Sequence, residues 1–170
     1  MIDSTDQNPL FYSRLQRRLH WLVLVLLLVQ YALQLPMMAA MAAIDNEETI
    51  TFLQFLVITL HTWGGASIAA IMCWRWHLRK QVVLPGAGQL STFQSKWVKV
   101  HHTTLYAVLI LMALSGACHY YLGWTLAARW HELGKWLLLA LIGVHIAGAI
   151  SHLGDGNRVL QRMMGRDSLR

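Results

Sequence analysis

The sequence predicts an all-α membrane protein: a four-transmembrane-helix bundle, one domain over residues 1–170, with both termini cytoplasmic. Three observations carry this. First, 56% of residues are hydrophobic and 13% are charged, against about 45–50% and about 25% in typical globular domains. Second, four stretches reach the roughly 20 mainly apolar residues that a bilayer core requires. Third, the basic residues gather on one side of those stretches. Eight Trp and five Tyr fit the same picture, because amphipathic rings favour membrane–water interfaces.

The first span covers about residues 19–41, LHWLVLVLLLVQYALQLPMMAAM. It comes after three arginines and shows no small-residue cleavage site, so it reads as a retained helix and not a signal peptide. Pro36 lacks a backbone donor and either kinks the end of this helix or begins the loop. The second span covers about residues 51–74, TFLQFLVITLHTWGGASIAAIMCW. After it comes VVLPGAGQLSTFQSK, where Pro85, Gly86 and Gly88 form turns. The third span covers about residues 102–122 and the fourth about residues 130–153.

Orientation is set by charge. Arg14, Arg17 and Arg18 precede the first span; Arg75, Arg79, Lys80, Lys96 and Lys99 lie between the second and third; Arg158, Arg162, Arg166 and Arg170 come after the fourth. The loop after the first span carries Asp45, Glu47 and Glu48 and no basic residue. The positive-inside rule then places both termini in the cytoplasm of a multi-pass membrane protein, in contact with lipid. The net charge of +6 forms no basic face, which excludes nucleic acid. Cys73 and Cys118 fall near opposite faces of the bilayer and read as small apolar fillers, not a disulfide. Short loops leave no soluble catalytic domain, so the chemistry belongs within the bundle or at its mouths.

Nine histidines are the candidates for that chemistry. Ionisable groups inside a membrane are costly and are functional hypotheses by default. The spans hold almost no carboxylate, which argues against a proton-driven carrier. Neutral imidazole suits haem iron, whose two axial positions a pair of histidines satisfies. His131 and His145 are 14 residues apart, close to four turns and about 21 Å along one helix face. One helix thus offers a ligand near each leaflet. His61, about 15 Å below the start of its helix, is the natural partner of His131 on the outer side. His20, at the inner end of the first helix, is the partner of His145, with His152 as an alternative. Two stacked haems are the expectation, held between facing helices.

Gly64 and Gly65 come just after His61, Gly134 after His131 and Gly148 after His145. A glycine three or four residues on shares the histidine's face and leaves room for a flat macrocycle; the competing explanation is small-residue helix packing. A lone membrane histidine is, equally, often a hydrogen-bonding group between helices. It is the two depth-matched pairs that favour haem.

The segments YSRLQRRLHWLVLVL, HTWGGASIAAIM and WHELGKWLLLALIGVHIAGAISHLGDGNRVLQRMMGR resemble the bacterial cytochrome b561 family over nearly the whole chain. The resemblance implies a four-helix, dihaem b-type membrane cytochrome that exchanges electrons with ubiquinone or another quinone. Its haem ligands fall on His20, His61, His131 and His145. The cytochrome b subunits of hydrogenases and formate dehydrogenases share this ligand plan and serve large redox partner proteins. The family also implies a homodimer, and superoxide oxidation coupled to ubiquinone reduction has been proposed for its members. The segment GWTLAARW departs from the family by its shortness, which leaves the outer electron donor open.

The remaining residues receive lesser roles. His102, at the expected start of the third helix, and His152, two turns after His145, are candidates to bond a quinone carbonyl or to handle its protons. Interfacial solvation is the competing account of both, and for His152 the family resemblance favours the functional one. His77 and His101 sit among basic loop residues and read as solvated, and His119 as interfacial. Arg129 and Lys135 either pair a haem propionate or snorkel to the interface. Three rivals to an electron-transfer protein acting on quinone remain: a cytochrome b anchor subunit of a membrane dehydrogenase or hydrogenase, a haemless histidine-based metal transporter, and a structural membrane protein with no cofactor, against which the paired histidines argue.

Overall fold

The computed structural model describes residues 13–79 and 91–151. These residues form five α-helices and no strand: α1 Arg14–Ala32, α2 Gln34–Asp45, α3 Phe52–Arg79, α4 Thr92–Leu122 and α5 Thr125–Ser151. Helices α3, α4 and α5 are each long and apolar enough to cross a membrane, and α1 with α2 makes a fourth span if the bent pair is one.

The first predicted span is therefore broken. Helix α1 ends at Ala32, and α2 continues at an angle of 49°. Pro36 explains the break: it cannot donate to the carbonyl of Ala32, and its ring crowds that carbonyl. The chain recovers at once, with Leu33 N donating to Val29 O at 2.9 Å and Met37 N to Leu33 O at 2.8 Å. Proline at the third position of α2 costs little, since first-turn donors have no helical acceptor.

Both basic-side helix starts are capped alike. Ser13 accepts from Gln16 N at 3.1 Å while Gln16 Oε1 accepts from Ser13 N at 3.0 Å. Ser91 and Gln94 repeat this reciprocal capping box. Helix α4 thus begins at Thr92, ten residues before the expected start, and His101 and His102 lie on a helix and not at a loop boundary. At the other end, Gly123 adopts φ 66 and closes α4, a left-handed cap that glycine reaches without strain. Only Gly123 and Trp124 separate α4 from α5, so the two run as a tight antiparallel hairpin.

The helices pack in a row with α3 at its centre: α1 and α2 against α3, α3 against α4, and α4 against α5. The backbone of α5 makes no extended contact with α1 or α3. Val23, Ile68, Met72, Tyr106, Leu109 and Leu138, drawn from α1, α3, α4 and α5, form the buried core. Much apolar surface faces outward, including Leu28, Phe52, Trp63, Trp130 and Trp136. In water such a surface would aggregate; in lipid it is the expected exterior.

Candidate haem sites

Helix α5 carries His131 and His145, and each ring faces a histidine from another helix across the gap that α5 leaves. His145 meets His20 of α1 with ring centroids 6.2 Å apart. His131 meets His61 of α3, also at 6.2 Å. Both separations are too long for hydrogen-bonded rings and suit one metal between two imidazoles. With a metal–nitrogen bond of about 2.0 Å and about 1.1 Å from nitrogen to ring centre, bis-imidazole ligation places centroids about 6.2 Å apart. The core residues Val23, Ile68 and Leu138 lie between the two pairs along their helices.

The His61–His131 pair is set from α4. His131 Nδ1 lies 2.9 Å from the Met112 carbonyl and 3.3 Å from Ser115 Oγ. A carbonyl only accepts, so Nδ1 carries the proton and Nε2 keeps its lone pair. That is the tautomer a metal ligand needs, held by a neighbouring acceptor. Gly116 makes the approach possible, because a Cβ there would stand 3.0 Å from His131 Cε1. Across the gap, His61 Nδ1 is buried without a hydrogen-bond partner, so the ring has binding capacity unspent.

The His20–His145 pair lies beside Arg75. Arg75 Nη1 donates to the Gln16 carbonyl at 2.9 Å, and its Nη2 lies 3.3 Å from His20 Nδ1. Gln16 in turn donates to the Leu78 carbonyl at 3.1 Å, so α1 and α3 are stitched at this depth. Arginine only donates. The longer contact, to His20, is therefore the one that yields when Nδ1 carries a proton. The guanidinium still leaves a fixed positive charge beside the ring.

The glycines divide. A Cβ on Gly65 or Gly148 would meet nothing within 4 Å, so no packing neighbour fills either position. On Gly64 it would run into the Gln30 amide, and on Gly134 into Met112 Sδ. Those two serve helix packing, so for Gly134 the haem-room expectation is corrected. Porphyrin itself supplies four nitrogens, so paired histidines suffice for it. A bare tetrahedral metal needs about four protein ligands, and among the described residues no group of three or more His, Cys, Asp or Glu fits one.

Several expected positions need revision. His101, expected as a solvated loop residue, is half-buried on α4 with its ring 6.0 Å from that of His145. His102 is 5.2 Å from His145 by centroids, and its Nδ1 bonds the Val98 carbonyl at 2.7 Å. Lys135 pairs with Glu132 and lies over the Trp136 ring at 5.3 Å. Arg129 is exposed on α5. His152 lies outside the described residues. Reasoning from sequence missed Arg75, Ser115, Gly116 and the Met112 carbonyl. Only the small pair Ser115–Gly116, within an apolar helix, offered a readable signal.

A family model described as prokaryotic cytochrome b561 matches residues 11–166. No curated protein and no solved structure matched the chain.

Proposed function

The chain belongs to the prokaryotic cytochrome b561 family, and from that premise we propose that it is a dihaem b-type cytochrome moving electrons across the bacterial inner membrane to or from quinone. His20 and His145 hold the inner haem, His61 and His131 the outer. The observation that carries this is the matched 6.2 Å separation of two histidine pairs that share α5. Each bound haem supplies a one-electron ferrous–ferric couple.

This chain's residues do the rest. His131 is fixed in the ligating tautomer by the Met112 carbonyl. Val23, Ile68 and Leu138 exclude water between the two sites. Gly65 and Gly148 leave the cradles open, while Arg129 and Lys135 are the basic residues on the outer side. We assign His102, whose ring faces that of His145, and His152, by its place in the sequence, to the uptake of the two protons that accompany two-electron quinone reduction.

The family resemblance supports superoxide as the outer donor, each anion giving one electron and leaving as dioxygen. It also supports a homodimer. The absence of a three-ligand group among the described residues speaks against the haemless carrier.

The test is a visible spectrum of the detergent-purified protein, oxidised and dithionite-reduced, with haem counted per chain. About two low-spin b-type haems per chain are expected. A colourless protein, grown with haem supplied, overturns the reading. Reduction only in the presence of a co-purifying dehydrogenase would make it an anchor subunit instead.

A further inference from the structure

We propose that Arg75 makes the His20–His145 site the higher-potential one of the two, so that an electron runs downhill to it from the His61–His131 site. The proposal rests on the two-haem reading above. Both sites offer the same axial pair, two imidazoles, so axial identity does not separate their potentials. What remains is hydrogen bonding to the ligands and nearby charge.

The hydrogen bonds differ in sense. At His131, Nδ1 donates to the Met112 carbonyl at 2.9 Å. A carbonyl acceptor raises the basicity of the ligating nitrogen, and the stronger ligand favours ferric iron. At His20, the neighbour of Nδ1 is itself a donor, Arg75 Nη2, at 3.3 Å. Arginine stays charged at any working pH. Its charge favours ferrous iron, which carries one positive charge fewer.

The charges around each site agree. Lys135, one turn from His131, is paired with Glu132, so its charge is offset. Helices α1, α3 and α4 hold no Asp or Glu, so no carboxylate of theirs offsets Arg75. Arg79, one turn on, lies over the Tyr106 ring at 5.8 Å and adds charge of the same sign. Partly buried charges are weakly screened.

Arg75 is also held in place. Its Nη1 donates to the Gln16 carbonyl at 2.9 Å. Gln16, itself buried, donates to the Leu78 carbonyl at 3.1 Å and shares a capping box with Ser13. The guanidinium is thus a positioned charge that acts through His20. The transfer oxidises ferrous iron at the His61–His131 site to ferric and reduces ferric iron at the His20–His145 site to ferrous. One electron moves, no bond breaks and no proton is transferred.

The experiment is a redox titration of the purified protein, followed in the reduced α bands. It compares wild type, Arg75→Gln, Arg75→Lys and two single-site variants, His131→Ala and His145→Ala. The higher-potential component is expected to persist in His131→Ala and to be absent from His145→Ala. Arg75→Gln is expected to weaken its reduction at least tenfold, a fall of about 59 mV for one electron, and to leave the other component in place. Arg75→Lys keeps the charge and is expected to restore most of that fall, an ordering that a merely structural role would not produce. Persistence of the higher-potential component in His145→Ala overturns the proposal. So does an unmoved potential in Arg75→Gln, an equal fall at both sites, or an equal fall in Arg75→Lys. Should Arg75→Gln lose that haem, the order of potentials in the single-site variants decides alone. Fewer than two haems in wild type overturns the two-haem reading, and this proposal with it.

Discussion

His131 is the most tightly specified of the four proposed ligands, because its tautomer, its approach and its partner are each set by a different residue. Gly116 is the most sensitive of these supports. A Cβ there would already stand 3.0 Å from the ring, and a branched side chain would push the ring off its axis. Gly116→Val is therefore expected to lower outer-haem content severalfold while the inner haem stays, counted from the reduced low-temperature α bands. The complementary variant is His145→Ala. It removes one of the two histidines of the proposed inner pair, and one haem per chain is expected to remain. Retention of both would break the ligand assignment.

That His20 faces His145 and His61 faces His131 was legible because helical rise and spacing alone convert sequence into depth and face. His101 was not legible. Its place beside Lys99 and His102 suggested a basic loop, and only the longer α4 turns it inward.

The helices show where such reading stops. Hydropathy finds α3 and α5 and the apolar part of α4, since each carries an unbroken apolar run. It misses the first turns of α4, where Lys96, Lys99, His101 and His102 interrupt that run, although Ser91 and Gln94 spell the cap. The cap is testable on its own. Ser91→Ala removes the acceptor for Gln94 N, at an expected cost of about 1 kcal/mol. For a chain of this size that is about 2–4 °C in thermal midpoint, with haem content unchanged. A loss of the inner haem instead would mean that the cap also sets the register of His101 and His102. Pro36 marks a disturbance in the sequence, but the residues after it decide between a bend and a loop. The apolar run Met37–Met38–Ala39–Ala40 resumes the helix at a new angle, so the break becomes a bend.

At the scale of the molecule, the histidine pairs that α5 shares with α1 and α3 mean that the proposed haems would be part of what holds the fold together. In the row of helices, α5 touches the rest mainly through α4. Its other links are through side chains: Leu138 in the core with Val23 and Ile68, and the Tyr31 hydroxyl donating to the Lys135 carbonyl at 2.9 Å. Two haems ligated across the gap would tie α5 to α1 at one end and to α3 at the other. A ligand bound only by the folded state stabilises it by mass action, about 4 kcal/mol at a thousand times its dissociation constant. Protein made with haem synthesis blocked is thus expected to melt roughly 10 °C or more below the loaded form. Amide exchange should locate the loss. Protection is expected to fall in α1 and α5 first, while α3 and α4, which pack on neighbours from both sides, hold theirs. The residues flanking Gly123 should also hold, since the cap closes the α4–α5 hairpin without haem. Equal protection of α5 in the two forms would mean that the histidine pairs face each other for a reason other than ligation.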